Sequence, residues 1–204
     1  LKTRRLGPLV LAQSCGAFDD NFVKNAMVVL AVFKLGAGDA GLSLLAGALF
    51  IAPYILLSAT AGKIADRFQK PAVIRIYKAA EVGLMIGAAV AFLTESLPAL
   101  LAVLVGLGVQ SALFGPVKYG ILPEQLAEDE LVAGNGAIEA STFLSIVAGT
   151  VAGGALVVLP AGGAIVGAVI MGSIGGASIG LPLGAVMATI GFALLIARHS
   201  RTII

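Results

Sequence analysis

Cysteine, histidine and tryptophan are almost missing from this chain, which has one Cys (Cys15), one His (His199) and no Trp. A lone cysteine excludes an internal disulfide and a cysteine metal cluster, so Cys15 is read as a small packing residue. His199 sits in a basic tail, where a solvated side chain is expected instead of a metal ligand. Charge is also scarce: Asp, Glu, Lys and Arg make up 12% of the residues, against about 25% in soluble domains. The formal net charge of +2 is too small to mark a nucleic-acid partner. There is no Walker loop and no H-E-x-x-H. Gly106-Leu107-Gly108 lacks the third glycine of a dinucleotide fingerprint and follows an apolar run, so it is read as packing. Neither an enzyme nor a cofactor is expected.

What the chain has is apolar length. Hydrophobic residues make up 59% of it, with 27 glycines that suit close helix packing in lipid. Runs long enough to span a bilayer, about 17–25 residues, fall near 7–33, 41–61, 72–93, 97–115 and 132–158, with a last one within 163–197. The fold class is therefore an all-α membrane protein of six transmembrane helices. Pro71 and Pro98 sit where helices would start, a tolerated place for proline, and Pro53 is expected to kink the second span. Lys2-Thr3-Arg4-Arg5 before an apolar run resembles a signal peptide, but the run leads to Asp19-Asp20 and not to a small-residue cleavage site. The first segment is read as retained. Residues 160–184, Gly-rich and without charge, fit a helix extension, a re-entrant segment or a packed loop.

The basic residues set an orientation. Lys2, Arg4, Arg5, Lys63, Arg67, Lys70, Arg75, Lys118, Arg198 and Arg201 fall on one side of the six spans, and Lys34 alone on the other. The positive-inside rule then places both termini of the segment in the cytoplasm.

The first segment is organised around Ala17-Phe18-Asp19-Asp20-Asn21-Phe22-Val23-Lys24-Asn25. A charged side chain at that depth costs about 2.5–3.5 kcal/mol and is a functional candidate by default. At 100° per residue, Gln13, Ser14, Asp20, Asn21, Lys24 and Asn25 fall within an arc of about 140°, and Asp19 lies outside it. Asp20 and Lys24 have the acid-before-base spacing of an i,i+4 pair. The stretch reads as a helix with a polar stripe facing a cavity; the alternative is a loop between two short buried helices. In the fifth segment Asn135, Glu139, Thr142 and Thr150 fall within about 80°, and Ser145, Gly149 and Gly153 offer a small-residue seam. Glu139 is either a second intramembrane acid or an interfacial one. Lys78 and Glu81, three apart in the third segment, form either a structural ion pair or part of a cavity wall.

Four stretches carry a resemblance. Gly62-Lys63-Ile64-Ala65-Asp66-Arg67-Phe68-Gln69-Lys70, between the second and third segments, resembles the G-x-x-x-D-R-x-G-R/K loop of the major facilitator superfamily, with Gln69 where that signature has Gly. Phe18-Asp19-Asp20-Asn21-Phe22-Val23-Lys24 resembles the F-N-D-N-x-x-K element of the bacterial lysophospholipid transporter family, with Asp19 in place of Asn. Phe114 to Glu124 and Glu130 to Ala140 resemble the same family's loop after the fourth span and the start of its fifth. The match extends to about Gly154.

The resemblance implies the N-terminal six-helix bundle of a major-facilitator transporter, whose C-terminal half is absent from this sequence. It implies movement of lysophospholipids across the bacterial inner membrane for re-acylation, with an acyltransferase/acyl-carrier-protein synthetase as partner, fused or separate. Asp20, Asn21, Lys24 and Glu139 would then serve substrate and gating, and Gly62, Asp66, Arg67 and Lys70 would form a conformational loop. Lys78 and Glu81 would be a secondary intramembrane pair. The resemblance also implies that Asp20 and Glu139 make gating contacts with a cation of the missing half. Two other readings fit the composition: an ion-coupled exporter of small or drug-like solutes, and a membrane anchor for a fused acyltransferase.

Overall fold

The computed structural model describes residues 3–33, 36 and 40–156. The expected sixth span within 163–197, the 160–184 stretch, Lys34, Arg198, His199 and Arg201 lie outside the described residues. The helices are α1 (Thr3–Phe33), α2 (Ala40–Arg67), α3 (Lys70–Leu93), α4 (Leu97–Gly120), the single turn α5 (Leu122–Gln125) and α6 (Leu131–Leu156). At 1.5 Å per residue, even the 24-residue α3 is long enough to cross a hydrocarbon core of about 30 Å. Four of the described helices are both long and apolar enough to cross a membrane: α2, α3, α4 with its extension, and α6. Helix α1, at 31 residues, is long enough but carries Asp19, Asp20 and Lys24 midway. It is continuous through residues 17–25, so the polar stretch is helical and not a loop.

Local chemistry sets the joints. Pro71 and Pro98 occupy the first turns of α3 and α4, each after an extended residue, Gln69 and Ser96. The turn between α3 and α4 places Glu95 at φ 50°, with the Thr94 hydroxyl donating to the Val90 carbonyl at 3.0 Å. Before α6, the Glu130 carboxylate reaches back to the Ala127 amide, and Glu128, Asp129 and Glu130 gather at the helix start, where negative charge is favoured.

Helix α1 packs along α6, α2 along α4, and α3 beside α4, with smaller contacts from α1 to α2, α3 and α4. The α1–α6 contact is the small-residue seam: Gly149 and Gly153 lie against the Phe18 and Phe22 carbonyls with no room for a Cβ. Gln13 donates to Thr142 at 3.1 Å and Asn25 to Thr150 at 3.3 Å, so parts of the two polar stripes meet each other.

The core has two apolar clusters. One joins Phe22, Val23, Met27, Met85, Leu100, Leu104 and Leu107. The other joins Leu6, Leu9, Val73, Ile74, Phe114, Val117, Leu122 and Ile138. On α1, α3 and α4 alike, a buried polar layer falls between these clusters: Asp19 and Asp20, Lys78 and Glu81, Gln110. Large apolar side chains such as Leu44, Ile55, Leu56, Phe143 and Leu144 point outward and are more than half exposed, as a lipid-facing surface requires.

Replacing Gly149 with Ala drives a methyl into the Phe18 carbonyl, an overpacking that costs about 1–3 kcal/mol. Thermal unfolding of the purified protein should show a clear drop for Gly149→Ala. Gly154→Ala, which meets nothing within 4 Å, should be neutral or slightly stabilising. Equal behaviour of the two variants would refute this packing account.

Candidate functional site

The polar layer opens on one side into a cavity of about 300 Å³, walled by α1, α2, α3, α4 and α6. Asp20 and Asn21 of α1 line it, with Lys78, Glu81, Gln110, Ser111, Lys118 and Tyr119. Phe50 and Tyr54 of α2 supply an aromatic wall. Asp20 is 7% exposed and accepts the Ser111 hydroxyl at 2.6 Å, at the short end of O–H···O distances.

Lys78 is 1% exposed and Glu81 2%. The Lys78 ammonium donates to both Glu81 carboxylate oxygens, at 3.0 and 2.7 Å, and to the Ala12 carbonyl of α1 at 2.7 Å. Gln110 of α4 donates to Glu81 at 2.8 Å, and the ammonium also lies 5.2 Å from the Phe114 ring centre. Gly16 makes room for the pair, since a Cβ there would lie 2.8 Å from the Lys78 ammonium. The pair is thus both a structural ion pair and part of the cavity wall.

The other expected residues are spread more widely. The Asp20–Lys24 pair suggested by spacing is not made: Lys24 donates to Asn21 at 3.1 Å and lies 5.7 Å from the Phe50 ring centre. Glu139 is half-buried on α6 and accepts the Tyr119 hydroxyl, which brings it to the cavity's edge through that tyrosine. Gly62, Asp66 and Arg67 lie within α2, which continues through Arg67, so the link to α3 is only Phe68-Gln69. Asp66 and Arg67 are exposed there. Lys70 opens α3 and pairs with Glu124 at 2.5 Å, tying α3 to α5. Gln110 and Ser111 were not singled out from the sequence. Each is a polar residue in an apolar helix, and their adjacency on α4 was the available signal.

These features define an all-α, multi-pass membrane protein with a charged, partly enclosed cavity among its helices. Over 156 residues the chain is 36% identical to the lysophospholipid transporter LplT of Pectobacterium carotovorum subsp. carotovorum (strain PC1), covering 76% of this chain and 36% of that protein. The lysophospholipid transporter LplT of Serratia proteamaculans (strain 568) is 36% identical over 76% of this chain and 37% of its own length. That of Yersinia pestis (strain Pestoides F) is 37% identical, over 76% and 36%. No family model and no solved structure matches. The chain is a homologue of the lysophospholipid transporters, which belong to the major facilitator superfamily, and it spans a little over a third of the length of these curated relatives.

Removing one partner of a buried ion pair leaves an uncompensated charge, at a cost of about 3–5 kcal/mol. Lys78→Met should therefore sharply lower the thermal stability of the protein in detergent, while Lys78→Met combined with Glu81→Leu should recover much of the loss. A single variant as stable as wild type would refute the pairing.

Proposed function

We propose that the chain is the N-terminal six-helix bundle of a lysophospholipid transporter of the bacterial inner membrane. Its sixth helix would fall within 163–197, both termini of the segment would be cytoplasmic, and a C-terminal half would close the substrate path. The observation that carries this reading is the charged cavity beside Asp20 in a homologue of LplT. At about 300 Å³ it has room for a polar head group but not for an acyl chain as well. The chain of the lipid would stay against apolar helix faces while the head group passes Asp20, Asn21 and Glu139.

Asp20 would take the ammonium of an ethanolamine head group. Lys118, which lines the same cavity, would take the phosphate, since the Lys78 ammonium is held by Ala12 and Glu81 and Lys24 by Asn21. The delivered product has a free hydroxyl, so the reaction that consumes it is an acyl transfer. An acyltransferase, fused or separate, is the partner this reading implies.

The test is uptake of labelled lysophosphatidylethanolamine into cells carrying the natural full-length protein, wild type against Asp20→Asn. A charge-assisted contact is worth about 1.5–3 kcal/mol, so uptake should fall on the order of tenfold to a hundredfold at equal expression. Normal uptake in Asp20→Asn would remove Asp20 from the path, and none in wild type would overturn the lysolipid reading.

A further inference from the structure

Asp19 is an acid of the polar layer that neither the transport reading nor the Lys78–Glu81 pair uses. It is fully buried, and neither carboxylate oxygen has a hydrogen-bond partner. An ionised carboxylate left that way costs several kcal/mol, so something must neutralise it. The obvious partner is Lys78, which lies within electrostatic range. An ammonium has three N–H groups, however, and those of Lys78 are taken by Ala12 and the two oxygens of Glu81. Asp19 is on the same side: Ala12, Cys15, Gly16 and Asp19 fall within about 100° of arc on α1. The titratable groups facing Asp19 are Glu81 and Lys78 from α3, and Asp20 and Cys15 from α1 itself; α4 adds the neutral Gln110 to the layer.

Asp19, Glu81 and Lys78 together hold two negative charges against one positive, so this cluster is one positive charge short. Among the described residues no group of three acidic, His or Cys side chains is arranged to hold a metal ion. A proton needs only one oxygen. We propose that Asp19 is a proton-binding site coupled to the Lys78–Glu81 pair, an inference that rests on the transport reading only for its role in the cycle. With the proton on, Asp19 is a neutral acid and Lys78 belongs to Glu81. When the proton leaves for the cavity that Lys78 and Glu81 line, the bare carboxylate competes with Glu81 for the ammonium, and the α1–α3 contact must rearrange.

The experiment uses the natural full-length protein in lipid nanodiscs. Infrared spectra across a pH titration should show a protonated-carboxyl band in wild type that is lost in Asp19→Asn. Asparagine matches the neutral acid in shape and charge, so folding should survive. Asp19→Glu keeps a titrating group and should keep a shifted band. In proteoliposomes, an imposed proton gradient should accelerate lysophosphatidylethanolamine uptake by wild type, and Asp19→Asn should lose that response. An unchanged band in Asp19→Asn, a spectrum of Asp19→Glu superimposable on wild type, or acceleration by a sodium gradient alone would overturn the proposal. A band lost in Asp19→Asn with no lysolipid uptake even in wild type would uphold the proton site and overturn the proposed substrate.

Discussion

The structure depends on one buried ammonium group, that of Lys78. Lys78 sits between two apolar clusters, where an unpaired charge costs several kcal/mol. It is tolerated because three elements are arranged for it. Helix α3 supplies Glu81 one turn on, α1 supplies the Ala12 carbonyl, and α4 supplies Gln110 to hold Glu81 in place. The Ala12 bond has a further consequence. A helical carbonyl already engaged with its own backbone is reached only if the helices lie close, and Gly16 is what lets α1 lie that close. The charge therefore helps to fix the distance between α1 and α3.

Helix α1 is then polar on two sides for two reasons. One side carries Gly16 and Asp19 toward the Lys78–Glu81 pair. The other carries Asp20 and Asn21 to the cavity and Gln13 and Asn25 to α6. Little of its surface is left for lipid, which is why α1 is the least apolar of the long helices while α2 and α6 carry exposed Leu, Ile and Phe. A helix central to a bundle in lipid need not be apolar itself; it needs partners for each polar group it carries.

How much of this was legible in the sequence follows from periodicity. The long helices, the continuous polar α1 and the Gly149–Gly153 seam each repeat at helical spacing, and each is seen in the structure. Lys78 and Glu81 are near in sequence, so their pairing was visible as one of two options. The Asp20–Ser111 bond was not, because it joins residues 91 apart in sequence. Spacing favoured Lys24 as the partner of Asp20, but an i,i+4 pair is worth only about 0.2–0.5 kcal/mol and tertiary contacts outweigh it. Asp19 falls off the polar stripe, so the stripe alone does not mark it. Helical arithmetic gave its direction correctly and could not show that a second charged cluster waits on that side.

Asp19 and Asp20 are adjacent in the chain and about 100° apart on the helix, and they serve different surroundings. One faces the Lys78–Glu81 pair in the cavity wall, the other the cavity itself. Because α1 is a single rigid element, a rotation that changes how Asp20 meets the cavity also changes how Asp19 meets Lys78. No chain of intermediary side chains is needed to connect the two sites, only the stiffness of one helical turn. Ser111 and Gln110 repeat the arrangement on α4: Ser111 donates to Asp20 at 2.6 Å and Gln110 to Glu81 at 2.8 Å. Two neighbouring residues on each of two helices thus link cavity and ion pair. Both helices are continuous through this layer, so a rigid-body movement of either one carries both sites with it.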